Sequence, residues 1–362
     1  MKKILTILIA LALIIGAAVY IQKTDSKNDT KGTDEVVKIG LSLPLTGGVA
    51  FLGEPAQKAA QLALKDAGKT KYNYELVFED DQFNPKTAVT TANKLMSVDN
   101  VLALISFGSG TGNSIKSVAE SSQTVQFALA SDPTIAEGEY NYIHWTPAFE
   151  QGKLLAQEVV RRGYTKISII DTNHPGPLAT TDAIKAALVG TGVEIVSYDT
   201  VMVGSKDFRT TANKVKSANP EIIILQMFSP EIEIAAKQLR ELGVDVPVTS
   251  VESFAWSSEP ELFEGMWFIA DTVVPEFAAK YAAEYGVEPP SGSSYVYDIV
   301  SYLIHLQENE KTIINSEDLP AIIAKDGVWK SSVFGNTEID EDGFFLTEAS
   351  VRIIRGGKVV TE

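Results

Sequence analysis

Residues 36–67 read VVKIGLSLPLTGGVAFLGEPAQKAAQLALKDA. The opening run, Val36–Leu43, is apolar and rich in β-branched residues, which predicts a strand. A loop bearing proline and glycine follows. Ala56, Ala59, Ala60 and Ala63 then fall at i, i+3, i+4 and i+7, the spacing of one buried helix face. This strand–loop–helix unit recurs along the chain. Leu76–Phe78 is the next strand, and Asn84-Pro85 marks a helix start, an N-cap followed by proline in the first turn. Val101–Ile105 and Val125–Ala130 are further strands, with a helix over Thr111–Ser121 between them.

The pattern restarts at Lys166–Asp171, followed by a helix over Leu178–Leu188 that Gly190 and Gly192 end. Glu194–Tyr198, Ile222–Met227 and Val246–Ser250 read as strands, alternating with helices near Phe208–Ser217 and Glu231–Leu242. Two rounds of β–α alternation imply an α/β fold of two similar lobes, each a parallel sheet flanked by helices. The C-terminal part departs from this pattern. It reads as helices over Glu276–Tyr285 and Tyr295–Gln307, then strands over Phe344–Ile354 and Lys358–Val360 around Gly356-Gly357.

The chain has 362 residues, enough for two domains of ordinary size. Its 31 basic and 47 acidic residues give a net charge of −16, a field that repels nucleic acid. There is no cysteine, which excludes disulfides, thiolate metal sites, cysteine nucleophiles and lipid attachment through an N-terminal cysteine. Met1-Lys2-Lys3 and the apolar run Ile4–Ile21 read as an export signal. Either it is cleaved after Ala18, or it stays as a membrane anchor, since 18 residues lie at the lower limit for a span. Residues 22–35 (QKTDSKNDTKGTDE) are polar and read as a flexible linker. The folded part is therefore expected outside the cytoplasm, periplasmic or at the cell surface.

Little in the sequence suggests catalysis. His144, His174 and His305 are far apart and form no metal-binding spacing. Gly108-Ser109-Gly110-Thr111-Gly112 lacks the dinucleotide and P-loop spacings and is no nucleophile elbow. It does place hydroxyls and unpaired backbone N–H groups where a strand ends and a helix begins, a setting that suits an anion such as a carboxylate. Ala130-Ser131-Asp132-Pro133 forms a second loop of this kind after the next strand, and ligands of parallel sheets sit at such carboxyl ends. The alternative reading is a serine on an ordinary βα turn. Asp80-Asp81 is a poor acid pair, because neighbours on a strand point to opposite faces. Glu252 lies just beyond a strand end of the second lobe, where its carboxylate could face a cleft.

These residues resemble a family, the leucine/isoleucine/valine-binding branch of the ABC-transporter solute-binding proteins, with the type I periplasmic-binding fold. The likeness covers nearly all of residues 36–362 and rests on the order and spacing of several segments. VKIGLSLPLTGGVAFLGEPAQKAAQLAL is similar to the family's opening strand, loop and helix. FEDDQFNPKTAVTTANKLM resembles its D-D-x-x-x-P-x-x-A pattern, and ISFGSGTGNSIKSVAESSQTVQFALASDPTI its first-lobe binding segment. AAKQLRELGV, EFAAKYAAEYGVEPP and YVYDIVSYLI resemble later landmarks.

The resemblance implies capture of a small amino acid in an interlobe cleft by hinge closure, with branched-chain or other apolar side chains as candidates. It implies that Ser109, Ala130 and Ser131 hold the ligand carboxylate and Glu252 its ammonium. It also implies a first lobe of 36–147 plus 275–330 and a second of 148–274 plus 331–362. The chain would cross between them near Pro147, Asp271–Pro275 and Lys330. An ABC permease is the implied partner, with no cofactor, no catalysis and a monomeric state. His174 stands where the family commonly has tyrosine, a position from which it could touch the ligand. Leu52, Phe228 and Trp256 are candidate pocket walls. Alternative roles are a binder of amides, urea or another small solute, and a membrane-tethered sensor domain.

Overall fold

The computed structural model describes residues 36–362, so the expected signal or anchor and the linker lie outside the described residues. The first lobe begins with β1 (Val36–Leu43), α1 (Ala50–Ala67), β2 (Asn73–Asp80), α2 (Pro85–Asn93) and β3 (Ala103–Phe107). It continues through α3 (Ser109–Ser122), β4 (Val125–Leu129) and β5 (Asn141–Ile143). Its five strands form a parallel sheet in the order β2-β1-β3-β4-β5. The central strands β3 and β4 are buried at every position, as expected where helices cover both faces. The alanine stripe of α1 is buried as its spacing predicts. Asn84 caps α2, accepting from the N–H groups of Lys86 and Thr87, with Pro85 in the first turn.

The second lobe comprises α4 (Ala148–Arg161), β6 (Lys166–Thr172), α5 (Pro175–Leu188), β7 (Glu194–Val201), α6 (Arg209–Ala218), β8 (Ile222–Gln226), α7 (Glu231–Glu241) and β9 (Val248–Thr249). These strands form a parallel sheet, β7-β6-β8-β9. β10 (Trp267–Asp271) extends it through a parallel bridge between Val251 and Ile269. Ile169 and Ile170 alternate across this sheet and anchor two separate apolar clusters, one holding Leu155 and Ile184, the other Leu225 and Phe254.

The C-terminal part serves both lobes. α8 (Pro275–Tyr285), α9 (Ser293–Asn309) and α10 (Leu319–Asp326) join the first lobe, placing Tyr281 and Tyr302 in one core with Ile39, Ile105 and Phe127. β11 (Val328–Ser331), β12 (Gly335–Ile339) and β13 (Phe345–Leu346) form a small antiparallel sheet. β14 (Ala349–Arg355) and β15 (Lys358–Thr361) then pair with β10 in the second lobe. The third crossing expected near Lys330 falls at Thr347 instead. Val333 and Phe345 pack into the first-lobe core, and Trp329 and Ser331 donate to the buried Asp298 at 2.9 and 2.5 Å. Residues 331–346 thus belong to the first lobe rather than the second. Thr146 sits at the crossings, its hydroxyl bonded to those of Thr347 (2.9 Å) and Tyr295 (2.8 Å). Among the described residues no helix is long and apolar enough to cross a membrane.

Candidate functional site

The carboxyl ends of both parallel sheets face one another across a small cavity of about 60 Å³. Leu52, Ser109, Ala130 and Ser131 line it from the first lobe, and His174, Phe228, Glu252 and Trp256 from the second. All eight residues singled out from the sequence therefore meet at one cavity. A broader groove beside Glu137, Glu139 and Asp340–Asp342 is more acidic, but it lies away from the strand ends. Among the described residues no group of three or more histidine or acidic side chains could hold a metal ion.

The first-lobe wall is built from two consecutive strand ends. β3 ends at Phe107, Gly108 makes the turn at φ 101°, and α3 starts with Ser109. A Cβ on Gly108 would lie 2.4 Å from the Phe83 ring, so only glycine fits this turn. The N–H groups of Ser131 and Asp132 donate to Ser109 Oγ at 3.1 and 3.2 Å, tying the loop after β4 to the start of α3. The serine oxygen is thus occupied, while its proton and the first-turn N–H groups of α3 remain available to an acceptor in the cavity. A helix start with a hydroxyl donor and no carboxylate in the lining of its own lobe favours an anion.

Among the described residues the second-lobe wall carries the only acidic side chain in the lining, Glu252, itself 3 % exposed. Gln151 Nε2 and the backbone N–H of Asp271 donate to its Oε1 at 2.8 and 3.0 Å, and Ser291 Oγ donates to its Oε2 at 3.2 Å. Ser291 precedes α9, so this last bond reaches across to the first lobe. Burial pushes the Glu252 carboxyl well above the usual carboxylate range, and the nearby Asp271 charge adds to the shift. Its backbone adopts φ 60°, an uncommon conformation for a residue with a side chain. Phe83 also lines the cavity and has φ 56°. The two strained residues thus stand on opposite walls of the cavity, Phe83 in the first lobe and Glu252 in the second.

Aromatic rings close the remaining walls. Phe83 stacks on His174 across the interlobe boundary at 5.4 Å and 11°, and Phe228 meets both edge-on. Trp256 stacks on Phe228 at 6.2 Å and touches Trp145 of the first lobe. His174 also lies 3.0 Å from where a Cβ of Gly110 would be, so the lobes are closed on each other. Burial lowers the His174 pKa to about 4, which keeps the ring neutral here.

Phe83, Trp145 and Gln151 were not singled out from the sequence. Ala148, Gln151, Gly152, Leu155 and Val159 repeat at helical spacing, a signal that could have revealed α4 and its buried glutamine. Phe83 had no such signal, because its position depends on a left-handed turn. Asp81 makes that turn, accepting from Phe83 N (2.8 Å) and from Ser42 Oγ (3.0 Å). Asp80 accepts from Leu45 N and Gln82 N, both at 3.0 Å, so the two acids brace separate loops rather than act as a pair.

The chain has the architecture of a two-lobed binding protein, with a cavity at the sheet ends. The chain belongs to the periplasmic binding protein family, whose model matches residues 36–351. It is 27 % identical over 228 residues to a Leu/Ile/Val-binding protein homologue from Brucella melitensis, covering 60 % of this chain and 62 % of that one. The chain thus spans less than two thirds of that relative. A branched-chain amino acid transporter substrate-binding protein from Streptococcus pneumoniae, solved with isoleucine, has a TM-score of 0.78 and 22 % identity, over 90 % of this chain and 98 % of that one. A solute-binding protein of an ABC transporter from Rhodopseudomonas palustris, solved with 3,4-dihydroxybenzoic acid, has a TM-score of 0.80 and 19 % identity, over 90 % and 95 %.

Proposed function

We propose that this protein is the extracytoplasmic solute-binding component of an ABC importer and captures an α-amino acid with an apolar side chain. One observation carries the reading. An anion-favouring helix start with a serine donor faces a buried carboxylate that has no cation partner, across a cavity walled by aromatic rings. A zwitterion supplies the missing charge at both ends, and buried charges are tolerated only when paired and hydrogen-bonded. Ser109, Ala130 and Ser131 would hold the carboxylate, and Glu252 the ammonium. Leu52, Phe228, Trp256 and His174 would enclose the side chain.

Binding then proceeds without covalent chemistry. The ligand seats on the first lobe, the crossings near Pro147, Asp271 and Thr347 bend, and the second lobe closes over it. The closed form docks on a membrane permease and releases its cargo; the protein itself acts as a monomer. The names of the relatives support an amino-acid ligand. The benzoate-bound neighbour favours a second reading, a small aromatic acid held without an ammonium. A thermal-shift screen of amino acids, amides, urea and aromatic acids separates the two, because any ligand that binds only the folded state raises the melting temperature. Stabilisation by L-leucine or another apolar amino acid supports the proposal. Stabilisation by benzoates alone replaces it with the second reading.

A further inference from the structure

Behind Glu252, at the hinge, lies a second buried acid. Asp271 ends β10 just where the chain leaves the second lobe, and it is 8 % exposed. Its N–H binds the Glu252 carboxylate, yet its own Oδ2 has no hydrogen-bond partner among the described residues. Two more buried polar atoms nearby share that condition, Gln151 Oε1 and Ser294 Oγ. Asp271 does not reach the cavity wall.

The charged and titratable groups packed around the two acids are few. Arg352 on β14 donates to the Asp271 carbonyl at 2.8 Å and, among the described residues, is the cation whose charge bears on both. Ser291 comes from the turn before α9, and Ser294 and Tyr295 from α9 itself, the Tyr295 phenol held neutral by burial and by both acids. Gln151 comes from α4, and His144 lies behind Tyr295, paired with Asp298 at 2.7 Å. Two carboxylates against one guanidinium leave an excess of one negative charge on buried side chains, and such a charge must be neutralised.

We propose that Glu252 and Asp271 act as one unit that holds a single positive charge, a proton when the cavity is empty and the ligand's ammonium when it is filled. Capture is then an exchange. The carboxylic acid gives its proton to solvent, and the carboxylate so formed pairs with the incoming ammonium, with no change in the charge of the pocket. Asp271 is a positioning residue here, acting on the ligand only through Glu252. The raised pKa values of both acids, which burial causes, agree with this. The exchange rests on the amino-acid reading above; the shared proton does not.

Two measurements on the full-length protein test it. L-leucine is titrated calorimetrically at pH 7.5 in phosphate and in Tris, whose ionisation enthalpies differ. At that pH His174, the other titratable group in the lining, is neutral in open and closed forms. The proposal expects net proton release on leucine binding, with affinity that rises with pH below the pKa of the pair. Asp271→Asn should bind leucine more weakly and release no proton. Equal heats in both buffers, or undiminished release from Asp271→Asn, overturn the proposal.

Infrared spectroscopy of the ligand-free protein at pH 7.5 gives a test that needs neither ligand nor Asp271→Asn to fold. A protonated-carboxyl band that disappears in Glu252→Gln is expected, and its absence from the unmodified protein overturns the proposal. If the band is present and no amino acid binds, the shared proton stands and the amino-acid reading falls.

Discussion

Among the described residues Glu252 has three hydrogen-bond donors on its carboxylate and no cation bonded to it, an arrangement that suits a positively charged guest. Glu252→Ala should weaken L-leucine binding by roughly 2–5 kcal/mol, the cost of leaving a buried ammonium unpaired. Ser109→Ala should cost about 1–3 kcal/mol, one neutral donor lost among several. Titration calorimetry checks both. Unchanged affinity in Glu252→Ala would remove that residue from the site. His174 makes a separate prediction. Its pKa lies near 4 in the closed form against an ordinary 6.5, so closure excludes its proton. The stabilisation that the neutral ring gives closure is complete above pH 6.5 and is lost as pH falls from there through 4. Leucine affinity should therefore drop over this window, and His174→Phe should flatten that part of the profile; an identical profile would show that the ring plays no part in closure.

The turn between β3 and α3 decides the shape of the cavity at the scale of elements. Gly108 has φ 101° and no room for a Cβ beside Phe83. Gly108→Ala should cost at least about 1–3 kcal/mol of stability from backbone strain alone, with a further loss of leucine affinity as Phe83 is displaced. Thermal unfolding of the variant measures the first effect, and a melting temperature equal to that of the parent would contradict it. The residues of this turn were legible in the sequence because a strand, a glycine-rich loop and a helix start announce themselves by spacing. Phe83 and Glu252 have left-handed backbones that leave no mark in hydrophobic periodicity; Glu252 was reached through its place beyond a strand end and its role through resemblance, and Phe83 not at all. α4 and β10 were missed for a different reason. α4 has a regular pattern that was passed over, whereas β10, WFIAD, is buried throughout and shows no alternation.

At the scale of the molecule, both parallel sheets were legible because β–α alternation repeats twice with the same period. The partition of the C-terminal part was not, since the chain crosses at Thr347 and no change of composition marks that point. Three crossings within one hinge allow the lobes to move as bodies, and the closed contact of His174 with Phe83 and Gly110 is one end of that motion. Saturating L-leucine should reduce the radius of gyration seen by small-angle scattering, and an unchanged profile would argue against hinge closure. The central claim is that the cavity grips a zwitterion by both ends, and calorimetry with three ligands of one shape tests it most directly: L-leucine, its methyl ester and 4-methylpentanoic acid. The account predicts tight binding of leucine alone, with the ester and the deaminated acid each weaker by roughly 2–5 kcal/mol; equal affinity for all three would contradict it.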